Sequence, residues 1–265
     1  MASRGHGGGS SGGKGGGSGS GKGKGAKTPG KGRTGGGERA LSQRVKTAKG
    51  RRLSSTRWIQ RQLNDPYVHK ARAEGYRSRA AFKLTEIDDR FGVLKRGQTV
   101  VDLGAAPGGW SQVAAQRTGA SDRAPVVAID ILPMDPIPNV TILMHDFAQD
   151  DAPELLMEAL SGRRPQVVLS DLAPETTGHR ATDHLRIVAL VELALDFAQK
   201  TLAPGGTFLA KVFQGGADSE LLALMRRDFA SVKHVKPPAS RSESPETYVL
   251  ATGFRGTPRE ADDLG

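Results

Sequence analysis

The 265-residue chain has no cysteine, which excludes disulfides, thiolate metal sites and thiol chemistry. Its six histidines, at 6, 69, 145, 179, 184 and 234, show neither HxxxH nor HExxH spacing, so a dedicated zinc or other metal site is not expected. Long apolar runs are missing as well. Met1–Ser10 has no apolar core, and the longest such stretch, Ile187–Ala198, is interrupted by Glu192 and Asp196. No export signal or membrane span is expected, and the reading is a soluble cytoplasmic protein.

The first fifty residues lack aromatic residues and apolar periodicity, and Glu38 is their single acid against 11 Lys or Arg and 19 glycines. Such a segment cannot bury enough surface to offset its ordering entropy, so a disordered basic tail is expected over 1–50. The formal charge of +10 resides there, because residues 51–265 carry 27 basic and 27 acidic side chains. Within that balance, 51–97 hold 12 Lys or Arg against 5 acids and 98–265 hold 15 against 22. A basic arm leading into a basic N-terminal extension suits a polyanion, with nucleic acid the leading candidate; the plain alternative is a solubilising tail.

Strand and helix signals alternate along the rest. Asp65-Pro66 marks a helix start, and Ser78 reads as the cap of a helix with Leu84, Ile87 and Phe91 on one face and Lys83 on a neighbouring one. Arg57, Arg61, Lys70, Arg72, Arg77 and Arg79 interleave with Trp58, Tyr67 and Tyr76. Cations of this kind position phosphates and aromatic faces stack on bases, or the aromatics simply staple helices to the core. Strands are expected at 99–103, 125–129, 140–144, 166–170, 207–213, 232–235 and 247–252, with helices at 111–117, 152–160, 179–200 and 221–229 between them. This alternation predicts an α/β domain over 98–254, a mainly parallel seven-stranded sheet with helices on both faces, and a flexible end at 255–265.

The central stretch is Val100 to Trp110, a buried-type strand that breaks into Gly104-Ala-Ala-Pro-Gly-Gly109. A turn without bulky side chains lets a ligand approach the backbone, and the following helix offers free N–H groups. Asp130, Asp146 and Asp171 are each expected at a strand end around this turn, where Asp130 can accept from ribose hydroxyls. The glycine spacing does not match G-x-G-x-x-G, and no GK[ST] follows a glycine turn outside the tail. An adenosyl cofactor without pyrophosphate remains, and S-adenosylmethionine fits, its sulfonium favouring carboxylates nearby.

Six segments in register, Ser78-Arg-Ala-Ala-Phe-Lys83-Leu, Asp102-Leu-Gly-Ala-Ala-Pro-Gly-Gly-Trp110, Leu132-Pro-Met-Asp-Pro136, Ser170-Asp-Leu-Ala-Pro174, Ala210-Lys-Val-Phe-Gln-Gly215 and Glu246-Thr-Tyr-Val-Leu-Ala-Thr-Gly253, closely resemble the FtsJ-type RlmE family. These are bacterial 23S rRNA uridine 2'-O-methyltransferases. The resemblance spans about Arg57 to Gly253 and implies a Rossmann-like class I S-adenosylmethionine-dependent methyltransferase fold. It implies a catalytic set of Lys83, Asp171, Lys211 and Glu246, and cofactor contacts at Gly108, Trp110, Asp130, Asp146 and Asp171. The implied partner is 23S rRNA within the large ribosomal subunit, with no membrane partner and the chain acting as a monomer. One departure is Glu175-Thr-Thr after Pro174, where many members carry Asn.

In such a transfer the ribose 2'-hydroxyl must lose a proton, and an ordinary lysine, with pKa of about 10.4, is protonated at neutral pH. Lys211 sits in an apolar strand, where desolvation and a nearby Lys83 push its pKa down and Asp171 pushes it up, so the net shift stays open. Lys211 is the expected proton acceptor, with Asp171 orienting it and Lys83 and Glu246 positioning the ribose. Taken singly, Lys211 could be a snorkelling strand-end lysine and Glu246 an edge-strand charge. Rival readings are a methyltransferase of tRNA or another RNA, a non-catalytic RNA-binding assembly factor and, more distantly, a nicotinamide enzyme. Deletion of residues 1–50 should weaken RNA binding and flatten its dependence on salt concentration, because those cations would release phosphate counterions. A titration whose salt slope is unchanged contradicts this role for the tail.

Overall fold

Runs of Val, Ile and Leu without polar alternation become the middle of a seven-stranded sheet in the computed structural model, which describes residues 59–174, 177–213 and 219–256. The strands are β1 (Val100–Leu103), β2 (Val126–Asp130), β3 (Val140–Met144), β4 (Val167–Ser170), β5 (Thr207–Phe213), β6 (Phe229–Val235) and β7 (Glu246–Phe254). The helices are α1 (Pro66–Ala73), α2 (Ala80–Phe91), α3 (Gly109–Thr118), α4 (Ala152–Ala159), α5 (Arg180–Thr201) and α6 (Ser219–Asp228). The tail, Trp58, the family departure at Glu175 and, of the flexible end expected at 255–265, residues 257–265 lie outside the described residues. Among the described residues no helix is long and apolar enough to cross a membrane.

The strand order is β3-β2-β1-β4-β5-β7-β6, parallel from β3 through β5, with β7 antiparallel to both β5 and β6. The chain winds outward from β1 to β3 and then restarts on the other side of β1 with β4. That reversal leaves a crevice at the carboxyl ends of β1 and β4, where open α/β sheets take ligands. Both faces are covered, which is why β1 and β4 are buried along their whole length. Val101, Leu103, Val127 and Ile129 pack with Leu156, Ile187, Val191 and Leu195 of α4 and α5. Val100, Val126 and Leu169 pack with Leu84 and Ile87 of α2 and with Val113 and Ala114 of α3. The helix carrying Lys83 is thus a wall of the core.

Helix α1 starts as its sequence suggests, with Asp65 accepting from Tyr67 N–H at 3.0 Å and Pro66 in the first turn. Helix α2 does not. Its N-cap is Arg79 without a side-chain cap bond, and Ser78 Oγ is buried with no hydrogen-bond partner among the described residues. The competing demand is packing: a Cβ on Gly109 would fall 2.5 Å from Ser78 Oγ, so the turn lies directly on the glycine pair. Helix α3 likewise begins earlier than expected, at Gly109, because Gly108 reaches φ 105° as its N-cap.

Two aromatics of the N-terminal segment, Tyr67 and Tyr76, are half-buried. Tyr67 and Tyr76 both pack on Phe82, with ring centroids 5.6 and 5.5 Å apart. Asp65 pairs with Arg79 Nε at 3.2 Å and Arg241 Nη2 at 3.0 Å, while Glu86 accepts from Tyr67 OH at 2.8 Å and Ala239 N–H at 2.6 Å. These bonds join α1 and α2 to the 236–245 loop that leads into β7.

Gly104 ends β1 at φ +72°, and a Cβ there would meet Leu172 main-chain atoms at 2.9 Å. Gly104→Ala should cost the left-handed backbone penalty of about 1–2 kcal/mol plus the overlap with Leu172, read as a lower urea midpoint at unchanged slope. Gly119→Ala, at φ +66° with only Arg96 side-chain atoms nearby, should show the backbone part alone. Equal losses in the two variants contradict the close approach.

Candidate active site

A cavity of about 580 Å³ opens at the carboxyl ends of β1, β2 and β4. Gly104 and Ala106 supply backbone, Leu132, Phe147, Leu172 and Leu190 supply apolar walls, and Asp130, Asp146 and Asp171 supply carboxylates. Asp130 is the last residue of β2, Asp171 follows β4 directly, and Asp146 lies two residues beyond β3. Asp130 bridges two loops, its Oδ2 accepting from Ala106 N–H and its Oδ1 from Leu132 N–H, both at 2.8 Å. Asp146 Oδ1 accepts from Ala148 N–H at 2.9 Å. Each carboxylate is oriented by backbone and retains lone pairs for a ligand.

Asp171 also belongs to a second cluster. Lys211 Nζ donates to the Asp171 main-chain oxygen at 2.7 Å and lies 3.2 Å from its Oδ1. Lys83, from α2, reaches across to Glu246 at 2.7 Å to Oε1 and 2.8 Å to Oε2. Both lysines are nearly enclosed, 9% and 8% exposed for Lys83 and Lys211, so unpaired charges there would be heavily penalised. Tyr248 joins the two pairs, its hydroxyl lying 3.2 Å from Asp171 Oδ1 and 3.2 Å from Glu246 Oε1. Ser240 Oγ donates to Glu246 Oε1 at 2.9 Å.

Burial alone would raise the Glu246 pKa, but the charge and hydrogen bond of Lys83, with the charge of Lys211, outweigh it and hold the carboxyl below its ordinary value. Burial pushes the Tyr248 phenol well above its ordinary value, and the Asp171 and Glu246 charges add to this. Tyr248 therefore keeps its proton near neutral pH and donates it to one or the other of the two carboxylates.

All four residues of the expected Lys-Asp-Lys-Glu set stand together, and Asp171 places that set on the edge of the cavity. Gly108 and Trp110 stand apart from the lining. The Trp110 indole N–H donates to the Ala80 carbonyl at 2.8 Å and the ring packs on Tyr248 at 5.5 Å, so Trp110 has only its backbone at the start of α3 to offer a ligand. Tyr248 was given no role from sequence, although Glu246 and Tyr248 are two apart on a strand and so share a face. In the sheet Tyr248 registers opposite Lys211.

Asp102 is the other buried acid. Its Oδ2 accepts from Ser111 Oγ at 2.6 Å and its Oδ1 has no hydrogen-bond partner among the described residues. Burial raises its pKa to about 7 against the opposing Ser111 hydrogen bond, with the charges of Asp171 and Asp130 pushing the same way as burial.

Residues 76–254 match the FtsJ-like methyltransferase family. A curated relative from Sphingopyxis alaskensis, named ribosomal RNA large subunit methyltransferase E, is 60% identical over 227 residues, covering 86% of this chain and 97% of the relative. A relative of the same name from Paramagnetospirillum magneticum is 59% identical over 234 residues, covering 87% and 95%. Among solved structures, a Plasmodium falciparum protein provisionally described as a ribosomal RNA methyltransferase superposes with a TM-score of 0.60 at 30% identity, over 69% of this chain and all of that one.

Because the folded chain holds the Asp102 proton up to about pH 7 and the unfolded chain releases it near 3.8, this group's stabilising contribution is complete below 3.8 and is lost as pH rises through 7. Asp102→Asn should remove a loss of stability on the order of 3 kcal/mol between pH 5 and pH 8. Urea unfolding of both proteins at the two pH values checks this, and parallel changes contradict the buried neutral carboxyl.

Proposed function

The chain belongs to the FtsJ-like methyltransferase family, and from that premise we propose that it transfers a methyl group from S-adenosylmethionine to the ribose 2'-hydroxyl of a uridine in 23S rRNA, within the large ribosomal subunit. The observation that carries this reading is the two lysine–carboxylate pairs joined through Tyr248, one of which places Asp171 on the rim of a cavity suited to an adenosyl group. The ribosomal RNA methyltransferase names of relatives near 60% identity favour rRNA as substrate. The intact set of four polar residues favours an enzyme over an RNA-binding factor without activity.

The cavity's composition suits the cofactor. Apolar walls at Leu132, Phe147 and Leu190 can flank a purine, and three carboxylates suit a ligand carrying hydroxyls, an amine and a positive charge. Asp130 would accept from the ribose hydroxyls, Asp146 would sit near the adenine, Asp171 near the cationic centre, and the backbone at Gly108 and Trp110 would serve the remaining polar end. When bound, S-adenosylmethionine supplies an electrophilic methyl group on sulfur.

The chain's part is to present and deprotonate the acceptor. To act as a base Lys211 must first release one proton from its ammonium group; the amine then keeps two N–H bonds, and Asp171 offers the two oxygens they need, at 2.7 and 3.2 Å. The amine's lone pair is then free to accept the 2'-hydroxyl proton as the new C–O bond forms. Lys83 is held by both oxygens of Glu246, so its remaining N–H can fix the ribose oxygen. Holding that oxygen in line supplies much of the rate by itself. Tyr248 and Ser240 keep Glu246 from turning away.

Incubation with large subunits and methyl-labelled S-adenosylmethionine should incorporate label into 23S rRNA, whereas absence of incorporation favours the RNA-binding factor. Lys211→Ala should bind the cofactor normally and turn over about 10²–10⁴ times more slowly, the usual contribution of a positioned base. Turnover near the wild-type rate in this variant would remove Lys211 as proton acceptor.

A further inference from the structure

Arg77 lies in the turn between α1 and α2, among cations expected to meet RNA phosphates, yet its guanidinium is spent inside the chain. Nη1 donates to the Asp135 carbonyl at 2.6 Å and, more weakly, to the Pro107 carbonyl at 3.4 Å; Nη2 donates to the Pro136 carbonyl at 2.7 Å. All three acceptors are main-chain oxygens, and two belong to consecutive residues, an arrangement that suits a planar fork of donors. The turn itself is anchored on α3. The Arg77 main-chain N–H donates to Gln112 Oε1 at 2.9 Å, and Gln112 Nε2 donates to the Gly75 carbonyl at 3.1 Å.

The acceptors lie on two separate loops, Pro107 on the glycine turn after β1 and Asp135 and Pro136 on the segment after β2. On the cavity side Asp130 bridges the same two loops through the N–H groups of Ala106 and Leu132. Asp130 therefore clasps them at the cavity and Arg77 clasps them behind it. Gly108, at φ +105°, lies against this contact: a Cβ there would fall 3.0 Å from Arg77 Nη1 and 2.8 Å from Ile137 Cδ1.

We propose that Arg77 is a positioning residue for the methyl donor, acting through the two loops that wall the cavity, and that it is not a phosphate contact. This rests on the reading of the cavity as the donor site. Its physical content is preorganisation: the fork fixes the spacing of the loops before the ligand arrives, so binding need not order them.

Arg77→Lys separates the two roles, because it keeps the positive charge and loses the fork. Lysine carries its donors on a single nitrogen of a shorter side chain, so it does not match two carbonyls that Nη1 and Nη2 now meet separately. Losing at least one such bond should weaken binding of S-adenosylhomocysteine to the full chain about tenfold by calorimetry. The KM for the donor should rise similarly, with kcat at saturating donor and affinity for 23S rRNA within about twofold of wild type, since the charge that governs phosphate binding is retained. Unchanged S-adenosylhomocysteine affinity in folded Arg77→Lys overturns the proposal, as does weakened RNA binding with donor affinity intact. A wild-type chain that does not bind S-adenosylhomocysteine would instead overturn the functional reading on which the proposal rests. If Arg77→Lys does not fold, hydrogen exchange of the wild-type chain decides. The ligand should then protect amides in 75–78 together with those in 104–108 and 131–137, and protection confined to the last two segments overturns the clasp.

Discussion

Two ammonium groups are kept in a nearly closed site because each has its own carboxylate, and the positions of four elements follow from that pairing. Lys83 with Glu246 and Lys211 with Asp171 cancel charges whose burial would otherwise cost several kcal/mol per ion. The sheet order makes the pairing possible. Strands β4, β5 and β7 are neighbours, and because β7 runs antiparallel, its first residue, Glu246, lies at the end of the sheet where β4 and β5 finish. A parallel seventh strand would have delivered that residue to the opposite edge. Tyr248 then completes the arrangement, one phenol placed between the two carboxylates and too deeply buried to ionise near neutral pH.

The cavity and the charged set are joined at Asp171, and the turn after β1 governs how closely the neighbouring parts approach. Glycine at 104, 108 and 109 lets Leu172, Arg77 and Ser78 come nearer than a side chain would allow. The N-terminal segment is consequently more than an approach for RNA. Its turn backs the cavity loops, its helix α2 carries Lys83 to Glu246, and Asp65 and Glu86 tie it to the loop that brings in Glu246. Cations free to meet RNA are fewer than the sequence suggests, since Arg77 serves carbonyls and Arg79 serves Asp65.

The strands were legible from sequence because parallel strands buried on both faces read as uninterrupted apolar runs. Thr207–Phe213, buried except at its two ends, appears with the bounds expected of it, and so does Val140–Met144, although it is an edge strand that is only partly covered. What was not legible depended on contacts between distant segments. Ser78 has the chemistry of a cap, yet its hydroxyl makes no cap bond and lies against Gly109, thirty-one residues later. Helix α3 starts two residues early because a glycine N-cap at positive φ is a backbone event without a side-chain signature. Motifs brought forward Lys83, Asp171, Lys211 and Glu246, but residue types alone could not say that Tyr248 and Ser240 would face Glu246. The Trp110 side chain, a cofactor candidate from its motif, packs instead between Ala80 and Tyr248.

We propose that this site modifies one kind of atom, a ribose 2'-oxygen of large-subunit RNA. Nucleotide-resolution mapping of 2'-O-methylation in 23S rRNA, from cells with and without the gene, tests it most directly. A single 2'-O-methyluridine present only when the gene is intact is the predicted result. Identical ribose methylation in the two RNAs, or a difference confined to base methylation, would contradict it.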